Sequence, residues 1–251
     1  MINVWLTSIE EEIINDFWRA SGAIEPFPRN LERYIALTLP LMVVRLPHLQ
    51  IRDIHRWLDR RGVLFHFDCT NRRLRGCLIA HRGGGAIFVD GSDTEGEVQF
   101  TIAHELGHFL ADYIHPRTAA LRVHGSSVAD ILDGVRLPTP VERIASVVTG
   151  TNMSIHVDLL ERNSAGDVSS DIWRAESRAN RMAVAFVAPP KIVLSRLKRP
   201  LSLHFAERQK LLAKQLVDDF NLPIWASMDY ARALLEMIDQ GPSWAKALKI
   251  R

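Results

Sequence analysis

The chain has 251 residues, 47% of them hydrophobic and 24% charged, a balance that supports a packed core and excludes a disordered or fibrous protein. Lys and Arg total 31 against 29 Asp and Glu, a formal charge of +2, far short of the positive excess that binding a phosphate backbone leaves on a domain. The N-terminal residues carry acids where a secretory signal carries bases, and no apolar run reaches the roughly 20 residues of a bilayer span, so the expectation is a cytoplasmic protein with no membrane contact. The two cysteines, Cys69 and Cys77, lack the spacing of a zinc knuckle and fit a reducing compartment as ordinary core or strand residues.

Residues 9–19 alternate acids and aromatics at helical spacing, and 49–61 set Ile51, Ile54, Trp57 and Leu58 on one face; both stretches predict helices, the second stopped by Gly62. Strands are expected at 63–67, 75–80 and 86–90, the last two joined by the glycine-rich turn 81–85. Thr94 and Glu97 form a capping-box pair that opens a long helix with Phe100, Ala103, Leu106 and Leu110 on one side, ended by His115-Pro116. Further on, 140–148 reads as a short helix and 154–160 as a strand, closed by the turn 163–167. Helices follow at about 171–188, stopped by Pro189-Pro190, then at 205–220 and 224–238. The pattern is α+β, a small sheet surrounded by helices.

The informative string is His104-Glu105-Leu106-Gly107-His108, an H-E-x-x-H motif inside an amphipathic helix. Histidines four apart share a helix face, with Cβ atoms about 5–6 Å apart, so both imidazoles can reach one zinc ion. The offset of Glu105 suits a general base for water attack. The polar trio is expected to face away from the apolar stripe. Gly107 costs about 1 kcal/mol in mid-helix, which suggests something packing close against it.

A catalytic zinc needs a third protein ligand. The longer H-E-x-x-H-x-x-G-x-x-H pattern is excluded, because its later positions hold Ala111 and Ile114. Glu176 is the best-placed acid, since its helix also carries the small residues Ala179, Asn180 and Ala183, which permit close approach; Glu142, Glu161, Glu207 and Asp112 compete with it. Asp112 reads either as an orienter of His108 or, preferentially, as a solvated acid.

The segment from Phe100 to Phe109, followed by Glu176-Ser177-Arg178-Ala179-Asn180-Arg181-Met182-Ala183 and Pro189, resembles the ImmA/IrrE family of metallo-endopeptidases. The resemblance spans about 51–190 and implies a zincin-like fold, Zn2+ held by His104, His108 and Glu176, and Glu105 as catalytic base. It also implies a substrate: a helix-turn-helix repressor of the Cro/C1 type. In that frame residues 1–50 form an N-terminal helical segment, 51–190 the peptidase core with an insertion at about 113–170, and 191–251 a C-terminal helical subdomain. The oxyanion-stabilising group stays unassigned among His81, Tyr113, His115, His124 and His156. The strand 86–90 is expected to be the edge along which an extended substrate adds.

The helix-turn-helix rhythm of 211–237 allows a rival reading as a DNA-binding regulator with structural zinc, although the second helix offers no base before Arg232 and packing against the core is preferred. A module that sequesters a repressor without cutting it is the other alternative. The basic run 196–199 reads as a solvated face, and Trp173, Phe186 and Val187 read as core.

Overall fold

A computed structural model of the chain describes residues 6–63, 65, 67, 69–139, 155–162, 169–197 and 204–239. Its helices are α1 (Ser8–Ala20), α2 (Leu31–Thr38), α3 (Ile51–Asp59), α4 (Glu95–His108), α5 (His115–His124), α6 (Ala129–Leu132), α7 (Ser170–Val187), α8 (Pro190–Arg196), α9 (Phe205–Phe220) and α10 (Ile224–Asp239). The strands are β1 (Leu41–Leu46), β2 (Leu74–His81), β3 (Gly84–Asp90) and β4 (His156–Glu161). The expected helix at 140–148 lies outside the described residues.

Four strands form one mixed sheet in the order β1-β3-β2-β4, with β1 parallel to β3 and the other pairs antiparallel. β2 and β3 are joined through Arg82 and Gly83, both at positive φ, the signature of a tight hairpin turn whose twist matches the strands. Alternation along these strands sorts the core into two faces. Leu78, Ala80, Ile87 and Val89 join the cluster under α1, α2, α4, α7, α9 and α10, while Cys77, Ile79, Ala86 and Phe88 pack with Leu49, Ile51, Ile54 and Leu58 around α3.

Several expectations are corrected. β3 is an interior strand, flanked by β2 and by the unforeseen β1, so 86–90 offers no free edge; among the described residues β1 and β4 are the outer strands. Val63, Phe65 and Phe67 lie in no strand; the two phenylalanines pack against the α3 face instead, with ring centroids 5.1 Å apart. His115-Pro116 does not end the long helix. The chain passes through a π-helical turn at Phe109–Ile114 and continues as α5, because a proline in the first turn of a helix needs no N–H partner.

Residues 6–50 contribute to the main core. Ile14 and Phe17 of α1 are buried, Phe17 meets Phe186 edge-to-face at 5.5 Å, and buried Glu10 accepts a 2.6 Å bond from Arg181 of α7. The segment also contributes β1, which its helical reading did not include. The stretch 113–170 contributes β4. Trp173, read as core, is 65% exposed, whereas Phe186 is fully buried and Val187 packs partly buried against the cluster.

The α9–α10 hairpin turns at Asn221, in the left-handed region, and buries Leu222, Ala226, Ser227, Tyr230, Ala231 and Leu234. Tyr230 donates to the Ala188 carbonyl at 2.7 Å, and Trp225 stacks edge-to-face on Phe100 of α4 at 4.7 Å. Arg232, the one basic residue of α10, pairs with Glu236 at 2.9 Å. The second helix of the helix-turn-helix reading therefore packs on the core.

Among the described residues no helix is long and apolar enough to cross a membrane.

Candidate metal centre

The Thr94–Glu97 capping box forms as the sequence predicts and starts α4. The helix is not half-solvated: His104, Glu105 and His108 are 1%, 0% and 1% exposed, enclosed by α7 on one side and the sheet on the other. The expected division into an apolar stripe and an outward polar trio is replaced by burial nearly all round. Such polar groups stay buried only when partnered or when they hold an ion.

Helix α7 crosses α4 at Gly107, where a β-carbon would lie 3.4 Å from Ala179 Cα and 3.5 Å from Met182 Cβ. Those are ordinary contacts, so the close neighbour foreseen from the sequence is present although a methyl group would fit. The approach carries Glu176 to the histidine pair: its Oε2 is 3.4 Å from His104 Nε2 and its Oε1 is 3.5 Å from His108 Nε2. The two Nε2 atoms are 3.2 Å apart. Donors held about 2.0–2.1 Å from one tetrahedral ion stand roughly 3.3–3.4 Å from each other, so these three spacings suit a single metal.

Both imidazoles are aimed by partners on their far nitrogens. His104 Nδ1 lies 3.1 Å from Asn180 Oδ1, and His108 Nδ1 lies 2.7 Å from Asp112 Oδ2. Donation from Nδ1–H would leave each Nε2 lone pair free to bind an ion held at the centre. Asp112 is also paired with Arg178 of α7, so it orients His108 and is not a solvated acid. Asn180 thus does more than permit close packing.

A fourth group, Asp158 of β4, had no place in the sequence reading. Its Oδ2 is 2.7 Å from His108 Nε2, and the donor atoms of His104, His108, Asp158 and Glu176 all lie within 4.8 Å of one another. The signal was present in the predicted strand, where alternation sets His156 and Asp158 opposite apolar Val157 and Leu159.

Glu105 points toward the sheet. Both its carboxylate oxygens are buried and have no hydrogen-bond partner, and Oε1 sits where a β-carbon on Gly76 would fall, 2.7 Å away. Burial, reinforced by the charges of Asp158 and Glu176, pushes its pKa well above the usual carboxylate range. Burial acts the same way on Glu176 and Asp158, but hydrogen bonds from the histidines outweigh it and hold both below their ordinary values. For His108, bonds to Asp112, Asp158 and Glu176 outweigh burial and raise its pKa. Two imidazoles encircled by acids, with an unpartnered carboxyl beside them, form a group that can hold a metal ion.

The oxyanion candidates divide. Tyr113 OH accepts from Gly83 N–H at 2.8 Å in the hairpin turn, and His81 Nε2 lies 3.2 Å from the Asp133 carbonyl, so both support local structure. His115 lines an apolar cavity of about 280 Å³ between α1 and the π-helical turn, and His124 is exposed at the end of α5. His156 stacks near Tyr113, ring centroids 6.0 Å apart, on the same strand as Asp158. Of the acids that competed with Glu176, Glu161 pairs with Arg72 at 2.6 Å, Glu207 caps α9, and Glu142 lies outside the described residues.

No family model, curated protein or solved structure matches the chain.

Proposed function

We propose that the chain is a zinc-dependent endopeptidase with a zincin-like fold, of the kind its H-E-x-x-H and E-x-x-A-N segments resemble in the ImmA/IrrE family. The observation that carries this reading is Glu105: a fully buried carboxyl with both oxygens unpartnered, beside two Nε2 atoms and Glu176 at ligand spacing. A purely structural metal site gives such a group nothing to do, and leaving it buried and unsatisfied costs stability.

His104, His108 and Glu176 hold the metal, a two-histidine-one-carboxylate set suited to zinc. When bound, zinc supplies Lewis-acid catalysis, polarising a peptide carbonyl and acidifying water. Glu105 accepts the proton of the attacking water at a carboxylate oxygen and returns it to the departing amine. Asn180 and Asp112 keep the two rings oriented. The substrate is a cytoplasmic regulatory protein, a helix-turn-helix repressor, entering as an extended segment along the edge strand β4.

One observation favours a second reading, a non-catalytic metal site in a DNA-binding or repressor-sequestering protein. With Asp158 the donor set reaches four, and closed four-donor sites are typically structural. Co-incubation with a helix-turn-helix repressor of the Cro/C1 type separates the two. Fragments that vanish with chelator and with Glu105→Gln, while that variant keeps its zinc, support the peptidase; a stable uncut complex supports sequestration.

A further inference from the structure

β4 (His156–Glu161) is an edge strand, hydrogen-bonded to β2 alone among the described strands. Its register sets Asp158 opposite Leu78, and directly opposed residues of an antiparallel pair project to the same face. Leu78 lies in the cluster on the α4 side of the sheet, so the fold itself delivers Asp158 to the histidine pair from the sheet, while Glu176 arrives from α7. The carboxylate is held at both ends. Oδ1 accepts from the Leu159 N–H at 2.8 Å, and Oδ2 stands 2.7 Å from His108 Nε2. An outward shift of roughly half an ångström brings Oδ2 to the spacing of a tetrahedral ligand pair with His108 Nε2, and the donor atoms of His104 and Glu176 lie within 4.8 Å of the group.

Three protein donors leave one corner of a tetrahedral zinc site for the reacting water; a fourth carboxylate fills it. We propose that Asp158 is a displaceable fourth ligand that keeps the metal site closed at rest, and that a substrate segment adding to the side of β4 that no described strand covers draws it away. The ligand role stands on geometry alone, and its meaning as latency rests on the peptidase reading. A strand with one ladder neighbour can shift without breaking the interior pairing of β2 with β3, and a short aspartate side chain moves with its strand.

The test uses the full chain loaded with Co2+, whose visible absorption reports coordination, titrated with acetohydroxamate as a probe for an open corner. Asp158→Ala and Asp158→Asn should each bind the probe at least about tenfold more tightly than the parent, and zinc affinity should fall by about tenfold in Asp158→Ala. The asparagine variant keeps the shape and the Leu159 contact, so it reads the site even where alanine loosens β4. Equal probe affinity in the parent and both variants overturns the proposal. Opening of the site by these substitutions in a protein that cuts nothing upholds the ligand and overturns the peptidase reading. Cleavage of the repressor by a parent that binds the probe as tightly as its variants does the reverse.

Discussion

The carboxylate of Glu105 occupies the space that a side chain at Gly76 would fill. A β-carbon on Gly76 would lie 2.7 Å from Glu105 Oε1 and 2.5 Å from Thr101 Cγ2, both on the buried face of α4. The contact sits at the irregularity in the β2–β4 register between Leu74 and Gly76. Gly76→Ala should therefore displace the base while sparing the ligands. Overpacking of this kind costs about 1–3 kcal/mol. Urea unfolding should show that loss, and repressor cleavage should fall steeply while zinc still binds; parental stability and cleavage rate would contradict the placement of Glu105.

His108 is aimed by Asp112, and the bond between them is 2.7 Å. Partners of ligating histidines typically contribute about 10–100-fold in metal affinity. Asp112→Ala should weaken zinc binding by that order in a competition with a chromophoric chelator, although Asp112 touches no metal itself. Unchanged affinity would mean that the ring is held by packing alone.

Asp90 gives the acid limb of stability. Burial raises its pKa, but the bonds from Ser92, Arg162 and the His48 N–H outweigh this and bring it from 3.8 down to about 2. A depressed folded pKa means the contribution is complete above about pH 4 and is lost as pH falls toward 2. At 1.36 kcal/mol per unit this amounts to about 2 kcal/mol. Unfolding free energies of the parent and Asp90→Asn, measured from pH 5 to pH 2, should converge toward the acid end; parallel curves would remove Asp90 from the account.

Tyr230 fastens α10 to the end of α7 through its 2.7 Å bond to the Ala188 carbonyl, with its ring fully buried. Tyr230→Phe removes the donor and leaves that carbonyl unpaired, at a cost of about 1–3 kcal/mol. Thermal unfolding should register the loss with zinc affinity unaltered. A change in zinc affinity would show instead that the C-terminal hairpin shapes the site.

Local chemistry was readable where it is local. Capping by Thr94 and Glu97, the four-residue spacing of His104 and His108, and the small face that lets α7 approach are all properties of short segments, and the structure brings Glu176 to the histidines as that reasoning anticipates. What escaped depends on strand order. The run 41–46 has too little alternation to announce β1, and without β1 the strand 86–90 reads as an edge. Asp158 was hidden for the same reason: a strand's polar face gains meaning only once its neighbour is known, here β2, whose Leu78 points at α4. Trp173, expected in the core, lies one helical turn before Glu176 and faces solvent.

His104, His108 and Glu176 are predicted to converge on one divalent ion. Anomalous diffraction at the zinc absorption edge, from crystals of protein purified without chelator, tests it most directly. One strong peak within about 2.0–2.2 Å of both Nε2 atoms and a Glu176 oxygen is the predicted result. An empty centre in crystals grown with added zinc, or a peak bound elsewhere on the chain, would contradict it.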